Sequence, residues 1–157
     1  MPTKRVADIA TEAEPTHPVP SVEKCRARRK QALSDAVGLS QFGVNRVELD
    51  PDVWSTVRHW HTHEDEFVLI LEGELTLVTN AGAETLRVGD VAGFPAGVPD
   101  GHRLENRSDS LAVYLEVGSR RPDVDEVDYS DEDLLIRQTA DGRRVFTRRD
   151  GTELGEA

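Results

Sequence analysis

The sequence predicts an all-β domain, a sandwich or small barrel. Three observations carry this expectation. Seven or eight short runs rich in Val, Leu and Ile follow one another between Gln41 and Gly118. Turn residues separate the runs, and several of them alternate apolar and polar positions in period two.

Residues 1–40 precede the strands as an N-terminal extension. Pro2, Pro15, Pro18 and Pro20 keep its first part extended, with room for a short wrapped strand. VEKCRARRKQALSDAV, residues 22–37, predicts a short helix that Gly38 stops. Its basic cluster, Arg26, Arg28, Arg29 and Lys30, is expected as a solvated face, with a partner or anionic-ligand role as the alternative.

The barrel is expected over residues 41–118. FGVNRVEL alternates, and Ser55, Val57, His59 and His61 continue that alternation. Phe67 to Leu71 is apolar on both faces, as in a strand covered on both sides. Gly73 lets the chain bend, and Asn80-Ala81-Gly82 reads as a hairpin turn. ETLRV is the next strand, closed by Gly89-Asp90. VAGFPAGVPDG, rich in Gly and Pro, predicts a structured loop. HRLENRS and LAVYLEVG complete the set, with Asn106 to Asp109 as the turn between them. After Gly118 the composition shifts. RPDVDEVDYSDEDL holds seven acids and one arginine, so residues 119–157 are expected as an exposed acidic C-terminal extension. Within it, LLIRQTADGRRVFTRRDG is open to pairing as two strands about Asp141-Gly142.

Charge and composition exclude several classes of function. The net charge is −11, and residues 61–157 carry ten Lys/Arg against twenty-two Asp/Glu. Such acidity repels phosphate backbones and anionic membrane surfaces, so no nucleic-acid or membrane partner is expected. The single cysteine, Cys25, forms no intrachain disulfide and reads as a small buried hydrophobe. No apolar run approaches the ~20 residues of a membrane span. The opening MPTKRVADIATEAE lacks the apolar core of a signal peptide, so a cytoplasmic location is expected.

The chemistry concentrates in RHWHTHEDEFVLILEGELTL and, some forty residues on, FPAGVPDGHRLEN. His59 and His61 point to one face of a strand, because side chains alternate there. Glu66 opens the following apolar strand after a short turn, and chain reversal brings His102 back as a fourth group. Three neutral imidazoles and one carboxylate suit first-row divalent metals, and a buried carboxylate without a cation is costly. His63 would share the face only if the strand continued, but THEDE reads as a turn. Glu64 is the rival to Glu66. His17 has no partner in view. Arg58 and Trp60 fall on the opposite strand face, where Trp60 is expected to pack against a neighbouring sheet or subunit. Asp100 and Arg103 flank the His102 loop and are candidates to meet a ligand at the barrel mouth, Arg103 for its anionic end. Tyr114 faces either inward as a proton donor or outward as packing.

These residues resemble the cupin superfamily. Its first motif, G-x5-H-x-H-x3,4-E-x6-G, matches His59, His61, Glu66 and Gly73, with Val53 in place of the opening glycine. Its second, G-x5-P-x-G-x2-H-x3-N, matches Gly89, Pro95, Gly97, His102 and Asn106, with four residues instead of two between Gly97 and His102. The wider run is similar to small bacterial single-domain cupins, some of which carry sugar-phosphate-isomerase-like or oxalate-decarboxylase-like labels. The resemblance implies a double-stranded β-helix, or jelly-roll barrel. It also implies one divalent transition metal held near one end by His59, His61, Glu66 and His102, and a homodimer. The ligand set does not discriminate among Fe, Mn, Ni and Zn. Two functional readings follow. One is a metal-dependent isomerase, lyase or dioxygenase acting on a small oxygenated metabolite of carbonyl, hydroxy-acid or sugar type. The other is a non-catalytic binder of a small ligand, with a structural or vestigial metal site. An inward-facing base beyond the four ligands favours the enzyme.

Overall fold

Alternation along Phe42–Leu49 sets the register of the largest sheet: Val47 and Leu49 turn inward and are fully buried, while Phe42 faces out. The computed structural model describes residues 2–13 and 17–157, which form fourteen strands. They are β1 (Glu12–Ala13), β2 (Arg29–Ala32), β3 (Phe42–Leu49), β4 (His59–His61), β5 (Glu66–Glu72), β6 (Glu74–Thr79) and β7 (Gly82–Arg87). There follow β8 (Val91–Phe94), β9 (Arg103–Glu105), β10 (Ala112–Ser119), β11 (Val127–Tyr129), β12 (Leu134–Gln138), β13 (Arg144–Thr147) and β14 (Glu153–Glu156). One sheet has the order β1-β2-β3-β10-β5-β8. The facing layer is made of β14-β13-β12-β11-β4 and β7-β6-β9. Isolated bridges His59↔His102 and Trp54↔Glu105 link its two parts. The result is the expected jelly-roll barrel.

The chain crosses between layers at Gly73, which joins β5 to β6 without a loop. Its φ is +71°, and a Cβ there would meet the Leu111 carbonyl oxygen at 2.6 Å, so only glycine makes this corner. Asn106 holds the next reversal. It is buried; its amide donates to the carbonyls of Leu49 and Ser110, and its Oδ1 accepts from Ser108. This motif residue therefore shapes a turn.

Several expectations are corrected. Residues 22–37 do not form one helix: a 3-10 turn spans Pro20–Cys25, then β2 pairs with β3, then a four-residue helix spans Leu33–Ala36. Pairing with the edge of β3 and the ion pairs of Arg29 with Glu48 and Asp50 outweigh local helix propensity. The basic cluster is not uniformly solvated, since Arg28 is only 6% exposed. VAGFPAGVPDG is a loop only in its second half; Val91–Phe94 pairs with β5. The short wrapped strand of the N-terminus is β1 on β2, whereas Pro15 lies outside the described residues.

The largest correction concerns the acidic segment after Gly118. Asp125 is fully buried, and Val127, Tyr129 and Leu134 join Val22, Cys25 and Val57 in a second core beside that of the barrel. β11 pairs with β4, opposing Val127 to His61 and Tyr129 to His59. The acids that remain outside, such as Asp128 and Asp133, pair with Arg149 and Arg148. β12 and β13 do pair, around a turn at residues 139–142. The two-sided apolar run of β5 has no cover on its outer face from the described residues: Phe67 and Leu71 are exposed. No helix among the described residues is long and apolar enough to cross a membrane.

Candidate metal centre

The site forms where two neighbouring strands present histidines to the same interior. His59 and His102 are opposed in an antiparallel bridge, with His59 N–H to His102 O at 3.2 Å and His102 N–H to His59 O at 2.9 Å. Opposed residues of such a pair share a face, so the two imidazoles lie side by side, ring centroids 4.9 Å apart. His61, two residues along β4, joins them on that face, 5.1 Å from His59 between centroids. Glu66 comes from the start of β5 in the opposite layer.

Four side chains meet there. Glu66 Oε2 lies 3.0 Å from His102 Nε2, 3.5 Å from His59 Nε2 and 3.7 Å from His61 Nε2. The donor atoms of His59, His61 and Glu66 all fall within 4.8 Å of one another, and His102 joins this group through Glu66. Despite the short approach, Glu66 Oε2 is buried and has no hydrogen-bond partner of acceptable geometry. Buried polar atoms are rarely left so. The opposite ring nitrogens explain why. His59 Nδ1 donates to the Val57 carbonyl at 3.1 Å, and His61 Nδ1 to Asp125 Oδ2 at 2.7 Å. Protons on Nδ1 leave bare lone pairs on both Nε2 atoms. These lone pairs and the carboxylate therefore point at one another across a gap that a cation fits.

The electrostatics divide: those of Glu66 and His102 favour the ligand forms, and those of His61 favour its protonated form when no cation is bound. Burial would raise the Glu66 carboxyl, but the imidazoles of His102 and His59 outweigh it and hold Glu66 well below the usual carboxylate range. Burial pushes His102 below its ordinary value, which keeps it neutral. Burial acts the same way on His61, but the hydrogen bond to Asp125 and the charge of Glu66 prevail and raise it. His102 also stacks flat on Phe94, ring centroids 3.5 Å apart, which fixes its plane.

The loop carrying His102 is tied down although it is two residues longer than the motif. Gly97 N–H donates to the His61 carbonyl at 2.9 Å, and Ala96 N–H to Asp65 at 2.8 Å. At Gly101 a Cβ would lie 2.0 Å from Ser130 Oγ, so the C-terminal segment packs directly against this loop.

The rival residues stand elsewhere. His63 is exposed and contacts Thr62. Glu64 lies on the Nδ1 side of His61, at 4.0 Å, and accepts the Arg121 N–H. Trp60 is half-buried and borders the mouth cavity instead of packing beneath another sheet. Asp100 also borders that cavity and accepts the Asn80 N–H. Arg58 pairs with Asp131. Arg103 is held outside the site by Glu105 and Asp131 and stacks over Trp54 at 3.8 Å, so it is not the cation that meets an anionic end. Tyr114 faces inward, fully buried, with its hydroxyl 3.4 Å from Glu116. His17 does have neighbours, Tyr129 and Phe146.

Sequence reasoning misses Asp125, Glu116 and Arg144, and it offers Arg28 a partner or anionic-ligand role only as the alternative to a solvated face. Asp125, Val127 and Tyr129 alternate inward, with Glu126 and Asp128 between them. That period-two signal was present beneath the acidic composition.

Comparison with known proteins follows this geometry. Residues 45–118 match the Cupin_2 domain family. A crystal structure of a cupin-superfamily sugar phosphate isomerase from Silicibacter pomeroyi superposes with a TM-score of 0.89 and 42% identity, over 98% of this chain and 96% of that one. A candidate sugar phosphate isomerase from Acidithiobacillus ferrooxidans gives 0.73 and 28%, over 83% and 81%. The polyketide cyclase RemF from Streptomyces resistomycificus gives 0.63 and 19%, over 76% and 79%, a likeness of fold alone. No curated protein matches the chain. With its jelly-roll barrel, its two motifs and a relative 42% identical over nearly its whole length, this chain belongs to the cupin superfamily.

Proposed function

We propose that this cupin is a metal-dependent enzyme that isomerises a small hydroxy-carbonyl metabolite of sugar type. One observation carries the reading: Glu66 Oε2, buried and without a hydrogen-bond partner, faces the Nε2 atoms of three histidines within 3.7 Å. His59, His61, His102 and Glu66 are the proposed ligands. A divalent ion held there would act as a Lewis acid on a carbonyl or hydroxyl oxygen.

The remaining steps fall to the chain's own side chains. Glu116 lies outside the ligand group, lines two of the cavities beside it, and is positioned by Arg28 at 2.8 Å and Asn45 at 3.1 Å. We assign it as the base that moves a proton between adjacent carbons, with the Tyr114 hydroxyl beside it. Phe94 and Val68 line the inner cavity with apolar surface. The resemblance to two proteins described as sugar phosphate isomerases supports the same class.

The test is metal content followed by exchange. Wild type should carry about one divalent metal per chain. In deuterated water it should place deuterium beside the carbonyl of an aldose or ketose phosphate, as followed by proton NMR. Glu116→Gln should lose exchange and keep metal. Metal-loaded wild type that exchanges no aldose or ketose phosphate contradicts the reading, and oxygen uptake in its place points to a dioxygenase.

We also propose that two copies pair through the outer face of the largest sheet. Phe67, Leu71 and Val91 are exposed there at 40, 41 and 55%, on strands that would otherwise show apolar surface to water. Sedimentation should give a dimer for wild type and a monomer for Phe67→Asp with Val91→Asp. A monomeric wild type refutes the pairing.

A further inference from the structure

The ligand group separates two unlike cavities. The mouth cavity is about 70 Å³; Glu64 and Asp100 border it, and no Arg or Lys among the described residues does. The chamber on the other side is about 230 Å³. His59, His61 and Glu66 form one end of it, and Arg28 and Arg144 stand in its wall.

Arg144 belongs to the C-terminal sheet. The strand registers place it on the face shared by Phe146, Ile136, Val127 and His61. Its Nε is buried and has no hydrogen-bond partner. Asp125 approaches the guanidinium only to 3.7 Å and is already engaged by His61 and the His63 N–H. A buried donor of this kind is costly unless something fills it. Arg28 reaches the same chamber from the start of β2 and directs one amino group at Glu116.

We infer that this chamber is the substrate pocket and that Arg144 holds the anionic end of the substrate, a phosphate ester or a carboxylate. The inference rests on the metal-enzyme reading above, since the oxygenated end would face the His/Glu group. The planar guanidinium fork matches either anion in bidentate fashion. Glu64 and Asp100 repel such a group from the smaller cavity, whereas in the chamber Arg28 and Arg144 offset Glu66 and Glu116 and the Arg144 Nε still lacks an acceptor. A volume below the roughly 300 Å³ of the smallest drug-sized pockets suits a metabolite of a few carbons.

The experiment is calorimetric titration of the full chain with inorganic phosphate and, separately, with acetate, before and after metal removal by a chelator. Arg144→Gln should weaken the preferred anion about 10- to 100-fold, the loss of a charge-assisted hydrogen-bond pair, with metal content unchanged. Arg144→Lys, which keeps charge and bulk, should fall between the two. Arg143→Gln, an exposed neighbour, should bind as wild type. Tighter phosphate binding identifies a phosphate ester, and tighter acetate binding a carboxylate. Wild type that binds neither overturns the inference, as does an equal loss in Arg143→Gln. Binding that vanishes with the metal but ignores Arg144 means that the ion holds the anion. That outcome also overturns the inference while leaving the metal reading intact, and metal content in the same samples judges that reading separately.

Discussion

The barrel strands and the C-terminal strands β11–β14, which continue one sheet beyond β4, border the same interior and equip it differently. The barrel strands bring His59, His61, Glu66 and His102 together, behind them a core of Val47, Leu49, Ile70 and Leu75. The C-terminal strands bring Asp125, Tyr129 and Arg144, which touch or wall that group without belonging to it. The difference suggests a division of labour. One region presents the proposed metal ligands. The other sets the tautomer of His61, one of those proposed ligands, and it lines the chamber beside the group. Four ligands alone would accept many chemistries, so the individuality of this site resides in the segment after Gly118.

The comparison can be broken at several points. His59→Ala with His61→Ala should reduce metal from about one per chain to none while the protein still melts cooperatively; equal occupancy in wild type and variant, by elemental analysis, would refute the ligand assignment. Next in size is the C-terminal core. Leu134 is fully buried, so Leu134→Ala should cost about 2–5 kcal/mol, much as Ile70→Ala in the barrel should. Both variants should show one shifted unfolding transition. Two separate transitions for Leu134→Ala would mean that the sheet is a detachable appendage and that the division of labour is wrong. Asp125→Asn should then weaken metal about 10- to 100-fold, as loss of a carboxylate behind a ligating histidine does; unchanged affinity would demote Asp125 to packing. The smallest effect is a pH dependence in the metal-free protein. Asp125 helps to hold the folded His61 above the ordinary value of about 6.5. Stabilisation from a raised value is fully present below about pH 6.5 and is lost as pH rises through the folded value. The melting difference between wild type and Asp125→Asn should therefore shrink as pH rises above about 6.5. A difference that grows reverses the sign and rejects the pair.

Much of the barrel was legible because its signals are local. His59 and His61 alternate within one strand, and Gly73 and Gly89 mark corners where the backbone takes positive φ. His102 was legible only through motif spacing, since its position depends on the bridge to His59. Arg28 and Arg29 were misread because ion pairs with Glu116, Glu48 and Asp50 are long-range and leave no trace in local pattern. The segment around Asp125 was misread for a different reason. Its outward acids, neutralised by Arg148 and Arg149, made the composition look like that of a solvated tail and masked the inward alternation of Asp125, Val127 and Tyr129.

The most direct measurement of the central claim is X-ray absorption at the metal edge of the purified, metal-loaded protein. Three imidazoles and one carboxylate predict a shell of N and O atoms at about 2.0–2.2 Å, with the outer-shell scattering of about three imidazole rings. A shell of oxygens without imidazole scattering, or one unchanged in His59→Ala with His61→Ala, would contradict it.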